Sequence, residues 1–190
     1  MGRPKEFDEE LAVDSAMRAF WAAGYEATST TDLCAITGLG RSSIYNTFVS
    51  KQDLFDKALR RYMAVKDATT AELLDSPRPV REKVRTLFDQ VIDADPGDPL
   101  GCLVVNSLVE LAPRDRRTAN LLRRNQDKRF ELVSAALAEA HRAGELPADR
   151  DPDELAHFVL ATISGLQVSA RGGADRAVLR AIANAALSVF

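Results

Sequence analysis

The sequence predicts an all-α protein of about nine helices, set apart by caps and breakers. Three observations predict it. Apolar residues recur at three- and four-residue spacing along the chain, with none of the two-residue alternation of a half-buried strand. Aromatic residues make up 6% of the chain while alanine is abundant, which favours helices over sheets. Glycines, prolines and short polar residues fall between the periodic segments.

In order, the first helix runs from about Asp8, a good N-cap, to Ala23. Ala12, Ala16, Ala19, Phe20 and Ala23 mark one face, and Gly24 is the stop. Ser29-Thr30-Thr31-Asp32 reads as a capping box opening a short helix to Thr37, with Leu33 and Ile36 inward. Gly38-Leu39-Gly40 breaks the chain, and a second short helix spans Arg41 to Phe48. Ser50 caps a long helix to about Leu74. Further helices are expected over Pro79–Ala94, Cys102–Ala112 and Asp115–Ala143. Asp151-Pro152-Asp153-Glu154 combines an N-cap with a proline at the first helical position, opening a helix to about Arg171. Asp175 caps the last helix, to about Val189.

The pair of short helices around Gly38, roughly Ser29 to Phe48, has the layout of a helix-turn-helix, whose second helix enters the major groove. Ile44 and Phe48 lie four apart and face inward. At 100° per residue, Ser42, Ser43 and Asn46 take the opposite face, flanked by Tyr45 and Thr47. Arg41 at the helix start is placed for a guanine edge or a phosphate. The hydroxyls of Thr30 and Thr31 are placed for backbone contact. By spacing alone, two short helices joined at a glycine also suit a protein that touches no DNA.

Net charge does not decide the matter. The chain carries −3 overall, and up to Arg61 eight basic residues stand against nine acidic ones. At 190 residues, 46% hydrophobic and 28% charged, it is globular rather than disordered. The apolar stretch from Leu155 to Leu166 is broken by His157, Thr162 and Ser164, so no membrane span is expected. No apolar run follows Met1-Gly2-Arg3-Pro4, so no signal peptide is expected, and the only two cysteines, Cys34 and Cys102, suit a cytoplasmic protein. An enzyme is not expected. His141 and His157 are the only histidines, and there is no HExxH, Gly-rich phosphate loop, nucleophile elbow or CxxC. No cofactor or metal is implied. A helical interaction module is the remaining rival; it leaves the polar face of the Arg41–Phe48 helix unexplained.

Gly24-Tyr25-Glu26-Ala27-Thr28-Ser29, and then the run from Gly38 to Phe55, resemble the TetR/AcrR family of bacterial repressors. The resemblance covers about residues 3 to 60, and beyond it only helix number and lengths agree. It implies a DNA-binding unit over residues 1–50 and a ligand-binding and dimerisation domain over 51–190, with 51–75 connecting them. It implies that Arg41, Ser42, Ser43, Asn46 and Thr47 face bases, and that Thr30, Tyr45 and Lys51 contact phosphates. Arg3 and Lys5 would follow the backbone or enter a minor groove. Gly40, Asn46 and Thr47 depart from the family's commoner serine, aromatic, and histidine or tyrosine, which bears on the operator rather than on binding. The implied partners are a palindromic double-stranded operator, a second copy of the chain and a small-molecule effector. Release by thiol modification is an alternative.

For the effector, polar residues interrupting apolar stretches (Asn106, four after Cys102, with Thr162 and Gln167) and apolar walls from Phe88, Ile92 and Phe130 are the candidates. Each taken alone also reads as a core or interface residue. Cys102 follows Gly101 at a helix start, where a thiolate is favoured, yet it also reads as an inert small hydrophobe. Cys34 is expected in the core. Leu160, Ile163, Ser164 and Val168, then Val178, Ile182 and Ala185, recur at helical spacing and suit either a dimer face or a monomer's core. Two reading helices related by a two-fold axis favour the dimer.

Overall fold

A computed structural model describes residues 9–190, and these form nine α-helices and one closing 3-10 turn, with no strand among the described residues. In order they are α1 (Glu9–Ala23), α2 (Thr30–Thr37), α3 (Arg41–Thr47), α4 (Lys51–Asp75), α5 (Val80–Ile92), α6 (Leu103–Glu110), α7 (Arg116–Arg142), α8 (Pro152–Arg171) and α9 (Arg176–Ala186), then the turn Leu187–Val189. Asp8, the expected first cap, lies outside the described residues.

The caps explain most of the boundaries. Ser29 Oγ accepts from Asp32 N–H at 3.1 Å, while Asp32 Oδ2 accepts from Ser29 N–H at 2.8 Å, closing the capping box. Gly38 ends α2 in the left-handed region at φ 70°. Ser50 caps α4, Asp115 caps α7, Asp151 with Pro152 caps α8, and Asp175 caps α9. Gly40 caps α3 with no side-chain bond. Phe48 stands just past α3 rather than inside it, its N–H donating to Ile44 O.

Two apolar clusters hold the molecule. The first joins Phe20, Leu33, Ile44, Phe48, Leu54, Phe55 and Leu59 to Cys102, Leu103 and Leu122 of the later chain. Phe20 and Phe55 meet edge to face at 5.1 Å. The second packs α5, α7, α8 and α9 around Val84, Phe88, Leu137, Val159, Leu166 and Leu179. Each fully buried side chain of this size contributes about 1.5–3 kcal/mol.

Three expected inward positions differ. Ile36 is 49% exposed, Ala23 is exposed, and Ala19 is half-buried, while Val13 and Trp21 are buried. α2 packs on Leu33 alone, with Cys34 half-buried beside it. A two-turn helix carries too few apolar positions to fix its rotational phase from periodicity. Among the described residues no helix is long and apolar enough to cross a membrane.

Candidate DNA-reading face and ligand cavities

Ile44 and Phe48 anchor α3 into the first cluster, and this turns its other side outward. Arg41, Ser42, Ser43, Tyr45 and Asn46 are exposed there, and Thr47 is half-buried. α2 meets the same face at its start, where Thr30 Oγ1 lies 3.5 Å from Tyr45 Oη. Lys51, the first residue of α4, is half-buried, with its Nζ 4.2 Å from the Tyr25 ring centroid. The Ser29 hydrogen bonds hold the Asp32 carboxyl below its ordinary value, so it stays ionised at the N-terminus of α2. Arg3 and Lys5 lie outside the described residues.

The N-terminal helices are tied to the bundle by polar contacts that no local pattern announces. Glu110, the last residue of α6, accepts from the N–H groups of Tyr25 at 3.0 Å and Glu26 at 2.8 Å. Arg171 at the end of α8 donates from Nη1 to Trp21 O and Leu100 O and from Nη2 to Ala22 O, each at 3.2 Å. Trp21 Nε1 donates to Gly101 O at 3.2 Å. Buried Asp56 of α4 pairs with Arg117 Nε of α7 at 2.6 Å and accepts from Gln52 Nε2 at 3.0 Å.

Two cavities open in the bundle. The first, about 350 Å³, is lined by α1, α4, α5, α7, α8 and the segment before α6, and it opens to solvent beside exposed Val65, Lys66 and Leu100. Cys102 and Gln167 line it, together with Trp21, Tyr62, Lys66 and Arg129. The second, about 620 Å³, lies among α6, α7 and α8, where Phe130 stacks on His157 at 4.4 Å. Val104, Asn125, Arg129 and Ile163 line both.

The expected ligand residues therefore divide. Phe88 and Ile92 line neither cavity; they are packed in the second cluster, and Leu87 and Val91 of the same helix supply the wall instead. Asn106 is half-buried with an unpaired Nδ2, and Thr162 donates back to Phe158 O at 2.8 Å; neither lines a cavity. Cys102 is 3% exposed and precedes α6 as its N-cap. Burial, then the adjacent Cys102 thiol, pushes the Tyr62 hydroxyl well above its ordinary value.

The expected dimer residues divide as well. Val168 at 56%, Val178 at 48% and Ile182 at 37% are exposed, as is Ala185; Leu160 and Ser164 are half-buried. Ile163 is a correction: it is buried and turned into the bundle against both cavities.

The chain is similar to known proteins along its whole length. Residues 12–58 match the family described as bacterial regulatory proteins, tetR family, and residues 82–186 match the tetracyclin repressor-like C-terminal domain. An uncharacterised HTH-type transcriptional regulator of Bacillus subtilis, YezE, is 34% identical, covering 100% of both chains. The HTH-type transcriptional repressor ComR of Escherichia coli is 33% identical over 100% of this chain and 91% of its own. Among solved structures, a cysteine mutant of the regulator CifR in complex with 26-bp double-strand operator DNA superposes with a TM-score of 0.89 at 30% identity, covering 100% of both chains.

Proposed function

The chain belongs to the TetR family, a family of DNA-binding transcriptional regulators and not of enzymes, and from that premise we propose that it is an effector-released repressor acting as a homodimer on a palindromic operator. The observation that carries this reading is the outer face of α3, where Arg41, Ser42, Ser43 and Asn46 are exposed on a helix locked from behind by buried Ile44 and Phe48. Short polar side chains on a rigid helix approach base edges closely, and Asn46 is suited to bidentate contact with adenine. Arg41, Ser42, Ser43, Asn46 and Thr47 are the base-facing set, and Thr30, Tyr45 and Lys51 hold phosphates, with Arg3 and Lys5 reaching backbone or minor groove. Residues 1–50 form the reading unit, and residues 51–190 carry effector binding and dimerisation. The repressor sign follows ComR, which is named as a transcriptional repressor.

A molecule in the first cavity touches Trp21 of α1 directly, which supports release by a small-molecule effector. Thiol modification is a second route, supported by the Cys102 side chain in the same wall. Its burial limits it to reagents small enough to enter the cavity, and maleimide labelling of Cys102 that leaves DNA affinity unchanged rejects the route.

Selection of bound sequences from a random DNA pool, followed by mobility shift on the promoter region beside the protein's own gene, tests the main reading. A palindromic consensus is expected. No enrichment and no shift favour a helical interaction module instead.

A further inference from the structure

The first cavity carries a charge imbalance. Four aspartates line it, and three of them are paired with cations from outside its wall, while Asp95 is held by a backbone N–H alone. Asp67 accepts from Asn125 Nδ2 at 3.1 and 3.0 Å and pairs with Lys128 at 3.1 Å. Asp93 pairs with Arg176 and Arg180, Asp98 with Arg18 at 2.7 Å, and Asp95 accepts from Gly97 N–H at 2.7 Å. The two cations in the wall are different. Neither Lys66 nor Arg129 has a carboxylate within ion-pair distance among the described residues. Lys66 Nζ lies 5.7 Å from the ring centroids of both Trp21 and Tyr62, so one cation sits beside an aromatic wall. Tyr62, held neutral by burial and the Cys102 thiol, adds no negative charge. Gln167 Oε1 is buried with no donor among the described residues, which leaves an acceptor for a group in the cavity to satisfy.

We propose that this cavity binds a small aromatic carboxylate that also bears a hydroxyl or N–H donor. Lys66 and Arg129 meet the carboxylate, the Trp21 and Tyr62 rings meet the flat body, and Gln167 accepts from the donor. The proposal rests on the reading of the chain as effector-released and names the effector's class. A cavity of about 150 Å³ holds a benzene, so 350 Å³ accommodates one substituted ring. A neutral apolar guest leaves half-buried Arg129 and the Gln167 acceptor unmatched, while exposed Lys66 stays hydrated at the rim, and a cationic guest is repelled by Lys66 and Arg129. Occupancy would reach the DNA-reading end through Trp21, which belongs to α1 and is bonded to Gly101.

Trp21 is the only tryptophan of the chain, so its fluorescence reports occupancy of the cavity without DNA. The full-length protein is titrated with 4-hydroxybenzoate, the neutral 4-hydroxybenzamide and the cationic tyramine, and release of fluorescent operator is read separately by anisotropy. The expected result is saturable quenching by 4-hydroxybenzoate, with the amide and the amine at least about tenfold weaker. Lys66→Gln and Arg129→Gln each weaken the benzoate by about tenfold, and Arg129→Lys recovers most of the loss. Neither cation holds an ion pair in the fold, and because Lys66 lies beside the Trp21 and Tyr62 rings the thermal melts of the glutamine variants are recorded with the titrations. Equal or tighter binding of the amide or amine overturns the proposal, as does benzoate binding that ignores both variants, or silence from all three probes at millimolar concentration. Quenching without operator release keeps the ligand class and rejects effector control. Release by the amine or amide alone does the reverse.

Discussion

Asn46 and Lys51 are proposed to meet DNA in different ways, and the difference is measurable. A side chain that reads a base edge discriminates between sequences, worth about 1–3 kcal/mol at one base pair. A cation on a phosphate adds affinity to every sequence and one unit of counterion release. Asn46→Ala is therefore expected to relax specificity at one position while sparing binding to random DNA. Lys51→Ala is expected to weaken binding to all DNA and flatten the salt slope by about one unit. Affinity measured on operator and random duplexes across a salt series separates them, and equal losses on both duplexes for Asn46→Ala reject its reading role. Lys51→Ala also removes the contact with the Tyr25 ring, so its thermal melt should be recorded beside the binding data. At this scale the sequence was legible where the signal was local: the outer face of α3 follows from Ile44 and Phe48 alone. Glu110 and Arg171 carried no such signal, because their partners come from helices far along the chain, and Lys66 and Arg129 meet at one cavity wall only once α4 and α7 have packed.

Helix ends were legible for the same reason, since a cap and its N–H partners lie within four residues. The rotational phase of helices was less so. One residue turns a helix by about 100°, which is the difference between Phe88 and Ile92 in the core and Leu87 and Val91 on the cavity wall. Two glycines test the account of helix ends from opposite sides. Gly40 caps α3 with φ −66° and ψ 153°, open to any residue, and nothing lies within 4 Å of an added Cβ. Gly40→Ser supplies the missing cap and is expected to raise stability by a few tenths of a kcal/mol in urea unfolding. Gly24 closes α1 at φ 91°, and a Cβ there stands 2.9 Å from Glu110 Oε2, the carboxylate that holds the following turn. Gly24→Ala adds backbone strain to a broken tie and is expected to cost about 1–3 kcal/mol. The α7 cap has a pH signature. The Thr118 hydroxyl, bonded at 2.5 Å, and the N–H groups of Arg117 and Thr118 hold the Asp115 carboxyl below its ordinary value. A depressed carboxylate contributes stability that is present above its unfolded pKa of about 3.9 and is lost as pH falls through the folded one. Asp115→Asn should flatten the acid limb of the stability profile, and an unchanged limb would remove Asp115 from the account.

At the scale of the whole molecule, α9 has apolar residues on two sides, and only one side is buried among the described residues. Leu179, Ala183 and Ala186 pack into the bundle, while Val178, Ile182 and Ala185 are exposed, as is Val168 of α8. A helix on the surface of a monomer needs only the first of these stripes. The second fits the self-complementary patch of a two-fold dimer, which must bury about 1,200–2,000 Å² in all to be stable. Val178→Asp with Ile182→Asp places four like charges, two from each copy, on that patch and leaves the inner stripe untouched. The expected product is a folded monomer, with unchanged helicity by circular dichroism and half the mass by ultracentrifugation at micromolar concentration. Its DNA binding then follows from geometry. Two reading helices held about 34–36 Å apart engage both half-sites together, and linkage of this kind multiplies affinity by about 10²–10⁴. The monomer should lose that factor on the full operator while matching the native protein on a single half-site. Its salt slope on the operator should fall by half, since half as many phosphates are neutralised. A native chain that sediments as a monomer with and without operator would overturn the dimer and, with it, the need for a palindrome.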